Sequence, residues 1–295
     1  METRWLYTAS PDFPTLVEAS KGVCVIPMGC VEKHGLHLPV GTDILHASAI
    51  AYMASQLESV AVFPDFTFGD VCCNAPIAPD GFMPHGSITL PLETEMLLLE
   101  QLCEQIARNG FKKILIFNGH GGNNFWLDAF LRKLTYKKRD FVCGKVMIGL
   151  PAPHKMAELL LRDGSGAIPE LTTEDEALLL RYHEEGMKIG HACMGETAYL
   201  MGLAPESVHL ERLGIESGMN LHLTDYLKEA GIKIMNDGWD INYPNAFSGH
   251  DPIGCNERIG KAALRLEAER AANAFRIFKE DENVLRWHAE MQKGW

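Results

Sequence analysis

Residues 22–58, GVCVIPMGCVEKHGLHLPVGTDILHASAIAYMASQLE, hold the pattern that decides the fold. A short apolar, β-branched run (22–29) ends in glycine, a polar loop follows, and apolar residues then recur at helical spacing over 42–58. Outward from it the same alternation continues. Runs at 60–66, 112–119 and 142–150 read as further buried strands, and 93–110 and 123–139 read as helices between them. Gly110 stands where a helix-ending glycine would. A later helix over 172–186 opens with threonine and acids, and a long amphipathic helix runs on from Asn256. Strands alternating with helices imply an α/β fold with a mainly parallel sheet covered on both faces. No linker-like tract divides the chain, so one domain is expected over 1–295.

Composition narrows the function. Among 295 residues, 27 Lys and Arg face 39 Asp and Glu, a formal charge of −12, which argues against a binder of nucleic-acid phosphates. No apolar run reaches the roughly 18 residues of a membrane helix. The opening METRWLYTASPDFP lacks the apolar stretch of a signal peptide, so a cytoplasmic protein is expected. The cysteines, at 24, 30, 72, 73, 103, 143, 193 and 255, form no CxxC pair. They read as small core residues rather than as disulfides or a thiolate zinc site.

Three clusters carry chemistry. The first, GCVEKHGLHLPVGTD (29–43), packs Glu32, His34, His37 and Asp43 into twelve residues at a strand's carboxyl end. In extended backbone, side chains two apart face the same way, so Glu32 and His34 can converge. Thr42 is placed to cap the next helix, with Asp43 in its first turn. Carboxylates and imidazoles so close together are costly unless a cation binds among them, and a divalent metal is the usual solution. The alternative is a polar loop of solvated and capping residues. The second cluster, NGHGGN (118–123), follows a strand and places His120 at the same sheet edge, with glycines that permit positive φ and a close approach to a ligand. A phosphate cradle there lacks the companion Lys-Ser/Thr. The third, HACMGET (191–197), adds His191 and Glu196, although a glutamate beside a glycine turn ordinarily faces solvent. Segments 79–90, 150–190 and 243–260 read as pocket walls, with His85 and His250 either reaching a substrate or merely structural.

The ordered set E32-K-H-G-x-H-L-P-x-G-T-D43, H85-G-S-I, N118-G-H-G-G-N and H191-A-x-x-x-E-T resembles the creatininase (creatinine amidohydrolase) family, over about residues 20–265. The resemblance implies a three-layer α/β/α sandwich with two metals at the strand ends. It also implies hydrolysis of C–N bonds in cyclic amides such as creatinine, in formamides, or in peptides that a branch of the family trims, and a homo-oligomer, a hexamer in creatininase itself. Carried over by residue, Glu32, Asp43 and His120 would hold one metal, and His34 and the bridging Asp43 the second. In creatininase the remaining carboxylate lies two residues after the corresponding histidine, where this chain has Gly122, which cannot coordinate. Family members with this glycine turn take the ligand from the later H-A-x-x-x-E-T motif, so the resemblance implies Glu196 as the substitute. His191 and Glu196 are the candidate catalytic residues, His191 moving the proton, and His37 would stand behind the ligands. Creatininase frames its substrate with tryptophans between these last two motifs, whereas 127–196 here has none, which weighs against creatinine itself.

Oxygen and nitrogen donors of this kind suit two divalent ions, Zn²⁺ first, with Mn²⁺ or Fe²⁺ as alternatives. The expected reaction is attack of activated water on the carbonyl of a small-molecule amide. Its rivals are peptide trimming by the same site and a catalytically silent metal-binding assembly protein.

Overall fold

The computed structural model describes residues 1–71, 86–149 and 153–294. Four strands, β1 (Val23–Met28), β2 (Ala61–Val62), β3 (Lys113–Asn118) and β4 (Val142–Met147), form a parallel sheet in the order β2-β1-β3-β4. The first helices are α1 (Phe13–Ala19), α2 (Thr42–Leu57), α3 (Leu92–Arg108), α4 (Asn124–Leu134), α5 (Pro153–Asp163) and α6 (Thr173–Glu184). Beyond them lie α7 (Met194–Leu203), α8 (Asp225–Glu229), α9 (Trp239–Asn242), α10 (Glu257–Glu280) and α11 (Val284–Met291).

Strand parity divides the core in two. Val23, Val25, Leu115 and Phe117 pack among residues of α2, α7 and α10, whereas Cys24, Ile26, Met28, Ile114 and Ile116 pack among those of α1, α3 and α4. Successive side chains of a strand point to opposite faces, so a run that is apolar at both parities needs helices on both sides. The three-layer α/β/α arrangement follows.

Several details differ from the sequence reading. The 60–66 run yields only two residues of strand, because Pro64 has no N–H to offer a neighbour. Pairing beyond it survives as single bonds, from Phe63 N–H to Val25 C=O (2.8 Å) and from Phe66 N–H to Pro27 C=O (2.9 Å). Since the Pro27 carbonyl faces that side, its missing donor does too, where β2 has already stopped, and the β1–β3 ladder loses nothing. Helix α4 ends at Leu134, short of the basic, exposed 136–138. The start of α6 is as read, with a reciprocal cap between Thr172 and Asp175.

Helices α7 and α10 approach very closely. A Cβ on Gly202 would stand 2.5 Å from the carbonyl carbon of Gly260, so only glycine fits this crossing. Among the described residues no helix is long and apolar enough to cross a membrane, and the six described cysteines are free. Cys72, Cys73 and His85 lie outside the described residues.

Candidate metal centre

All four strands run the same way, so the chain leaving β1 and the chain leaving β3 emerge at one sheet edge. The turn after β3 is held by asparagines. Asn118 donates to His120 C=O (2.7 Å) and accepts from His120 N–H (3.1 Å), and Asn123 donates to Asn118 Oδ1 (3.0 Å). Asp43 enters from the first turn of α2, and Glu196 from the first turn of α7. Thr42 does not cap α2 as expected. Gly41 is the N-cap, Thr42 is already the first helical residue, and its hydroxyl donates to Pro39 C=O (2.7 Å).

The glycines of 118–123 serve only partly as expected: Gly119, Gly121 and Gly122 line a cavity at this edge, but not through unusual backbone. None of them has a positive φ. Gly119 is needed for close approach: a Cβ there would meet Asp43 C=O at 2.8 Å and the His46 ring at 3.0 Å. The turn is pressed onto α2, and that contact brings His120 to Asp43.

The side chains converge. His120 Nδ1 lies 2.8 Å from Asp43 Oδ2 and 3.1 Å from Glu32 Oε1. His34 Nδ1 faces Glu32 C=O at 3.2 Å, which turns Nε2 toward Asp43 Oδ1 (3.3 Å) and Glu196 Oε2 (3.7 Å). That Nε2 is buried and makes no well-aligned hydrogen bond. Glu32, His34 and Asp43 are at most 1% exposed, His120 is 6% and Glu196 7%, so these groups have exchanged water for one another. Glu196, which read in isolation could have faced solvent, is buried among the donors. Ala192, at φ +58, aims its N–H at the Glu196 carboxylate, a left-handed backbone in a residue that seldom adopts it. His191 stacks on His34 (centroids 4.0 Å apart), its Nε2 2.8 Å from Lys33 C=O and its Nδ1 3.6 Å from Glu32 Oε1.

Burial opposes every charge here, yet those of Glu32, His34, Asp43 and His120 are favoured. The imidazoles of His34 and His120 hold Asp43 far below the usual carboxylate range against that penalty. Glu32, likewise penalised by burial, is brought down to about 2 by His120 and His191. His34, despite burial, is lifted to about 9 by Asp43 and Glu196, and His120 is also raised. Burial pushes Glu196 up to about 7 against the pull of His34. Burial and the neighbouring His34 depress His191 to about 4. The buried carboxylates thus favour positive charge beside them. Cations there would supply that charge and leave the rings neutral, the form in which imidazole ligates.

Among the described residues, three donor sets have ligand atoms within 4.8 Å of one another: Cys30, Glu32, Asp43 and His120; His34, Asp43 and Glu196; and Glu32, His34 and His191. All five residues expected as ligands are in these sets. The donors fit a pair of divalent cations sharing Asp43. His37 is buried behind the sets, its Nε2 3.1 Å from the Thr197 hydroxyl. His250 accepts from Lys188 N–H (2.7 Å) and does not line the cavity at the centre.

That cavity, of about 510 Å³, has Glu32, His120, His191 and Glu196 in its floor. Its walls match those expected only in part: 243–260 contributes Tyr243 and Ser248, whereas among the described residues 150–190 contributes only Gly190. Most of the wall comes from 220–243, including Lys228, Asn236 and Trp239. Trp239 sets its ring edge-on to His191 (5.4 Å) and beside Tyr243 (5.6 Å). An aromatic wall is present after all, supplied from later in the chain. The sequence reading missed the part of this wall before Tyr243, and it missed Cys30, whose place two residues before Glu32 was the available signal.

Comparison with known proteins agrees with this architecture. The creatininase family model, described as creatinine amidohydrolase, matches residues 7–275. The chain belongs to the creatininase family, and it is a creatininase-family amidohydrolase. It is 23% identical over 210 residues to a creatinine amidohydrolase of Pseudomonas putida, covering 68% of this chain and 72% of that protein. A mycofactocin precursor peptide peptidase of Mycolicibacterium smegmatis is 31% identical over 119 residues, 39% of this chain and 46% of the relative. A 2-amino-5-formylamino-6-ribosylaminopyrimidin-4(3H)-one 5'-monophosphate deformylase of Methanococcus voltae is 36% identical over 101 residues, 34% and 35% of the two chains. In solved structures the fold recurs in a manganese form of creatininase and in a creatininase mutant of the Zn–Zn type. Each has a TM-score of 0.68 at 18% identity, covering 95% of this chain and 100% of the other.

Proposed function

We propose that this chain hydrolyses a C–N bond in a small cyclic amide or a formamide. In this reading Glu32, His34, Asp43, His120 and Glu196 would hold two divalent cations, with Asp43 common to both donor sets, and His191 would carry the proton. The observation that bears most weight is the setting of His191, beside the convergent donors in the floor of the cavity. When bound, such cations polarise an amide carbonyl and make water acidic enough to attack it near neutral pH.

The rest falls to the chain's own residues. His191 Nε2–H donates to Lys33 C=O, so its Nδ1 lone pair faces the centre. A ring depressed to about 4 is neutral at pH 7 and free to accept a proton from the attacking water. As the C–N bond breaks, the same Nδ1–H returns the proton to the departing nitrogen, which leaves as an amine beside a new carboxylate. Stacking on His34 and the edge of Trp239 fix the plane of the ring throughout. Glu196, tied by Ala192 N–H, keeps its carboxylate beside His34. Trp239 and Tyr243 select planar substrates by shape.

The cavity favours a second reading. Its volume exceeds what one small ring fills, and it runs outward to Lys228 and Asn236, room enough for the end of a peptide. The test is a screen of cyclic amides, formamides and short peptides with Zn²⁺- or Mn²⁺-loaded protein, read by mass spectrometry of the products. Turnover of a cyclic amide or formamide is the expected result, and shortened peptides would establish the second reading instead. Two bound cations with no turnover in any arm would overturn both and leave a binding or assembly role.

A further inference from the structure

The two donor sets that share Asp43 are chemically unequal. One has three members, His34, Asp43 and Glu196, all oxygen or nitrogen donors. The other has four, and the fourth is a thiol: Cys30 lies with Glu32, Asp43 and His120, its Sγ 3.1 Å from Asp43 Oδ2. Cys30 is fully buried, so the thiol is not one of the exposed cysteines that meet solvent by chance. Its position has a backbone cause. Residues 30, 32 and 34 alternate along the chain leaving β1, and alternate residues of extended backbone share a face. All three side chains belong to the centre.

We propose that Cys30 is a metal ligand, so that one cation position is closed by four protein donors including sulfur, and the other is open with three. The proposal rests on the two-cation reading above. On ligation the S–H bond breaks, a sulfur–metal bond forms, and the proton leaves to solvent. Four donors with one thiolate match a tetrahedral zinc site, and sulfur favours Zn²⁺ over Mn²⁺. Three donors without sulfur would leave a coordination place free, as catalytic positions do.

The test is X-ray absorption on the Zn²⁺-loaded wild-type protein, with the near-ultraviolet spectrum of the Co²⁺-loaded form beside it. A sulfur shell at about 2.3 Å and a thiolate-to-cobalt charge-transfer band are expected. Both should vanish in Cys30→Ser and persist in Cys143→Ser. Retention of zinc relative to manganese should fall about tenfold in Cys30→Ser, by analogy with the loss of other groups that tune a site. Cys30→Ala serves if serine disturbs folding, and the wild-type spectra are decisive without either variant. Two bound cations with only oxygen and nitrogen neighbours would overturn the thiolate assignment while sparing the two-cation reading. A protein that binds no cation would overturn both.

Discussion

The floor and the roof of the cavity are built on opposite principles. The floor is made of strand ends and the first turns of helices, with donors at most 7% exposed and pinned by Asn118, Asn123 and Ala192. The roof, over 219–243, is a chain of short turns in which Met235 is 92% exposed. Asn236 (φ 50), Asp237 (φ 52) and Gly238 (φ 74) run consecutively through left-handed backbone just before Trp239. Two non-glycine residues in that region cost of order 1 kcal/mol each. The difference separates chemistry, which needs donors fixed within fractions of an ångström, from substrate choice, which a loop can alter without touching the donors.

The comparison can be broken most sharply at Asp43. Asp43→Ala should remove both cations, measured as metal per chain, and lower kcat/KM by at least about a thousandfold. If one cation remains at full occupancy, Asp43 does not bridge. His191→Asn should lower kcat by about 10²–10⁴ while both cations stay bound; loss of metal in that variant would place His191 among the ligands instead. On the roof, Trp239→Ala should leave metal content unchanged and raise KM about tenfold, the loss of one buried aromatic contact. A larger fall in kcat than rise in KM would move Trp239 from the roof to the reaction itself.

The smallest effect is one of pH on the metal-free protein. His34 rises from 6.5 to about 9 on folding, so its contribution is complete below pH 6.5 and is lost as pH rises through 9. Glu196 rises from 4.5 to about 7 and loses stability in the same direction. Glu32 is depressed from 4.5 to about 2, so its contribution is complete above 4.5 and is lost as pH falls through 2. The Tm of metal-free protein should fall between pH 6.5 and 9, and zinc should flatten that fall. Equal slopes with and without zinc would show that protons and cations do not compete for this centre.

Much of the floor was legible because its causes are local. Strand–helix alternation needs only periodicity, and Glu32, His34 and Asp43 lie within one loop. Glu196 was identified only through family resemblance, since nothing near it in the chain shows that α7 buries its first turn. Cys30 was read as core because burial was judged correctly but its neighbours were not visible. The glycines around His120 were credited with unusual φ, when what matters is a contact with α2 some 75 positions earlier in the chain. The roof was illegible for a related reason: short turns carry no period, and Trp239 reaches His191 only through the folding of everything between them.

The crossing of α7 and α10 reaches into the chemistry. Gly202 and Gly260 let the two backbones touch, and Glu196 stands six residues up α7 from that point, about 9 Å along the axis. One methyl group added at Gly260 would wedge the pair apart and swing Glu196 away from His34, though residue 260 meets no donor. The gap between two helices acts as a gauge block for the reach of a carboxylate.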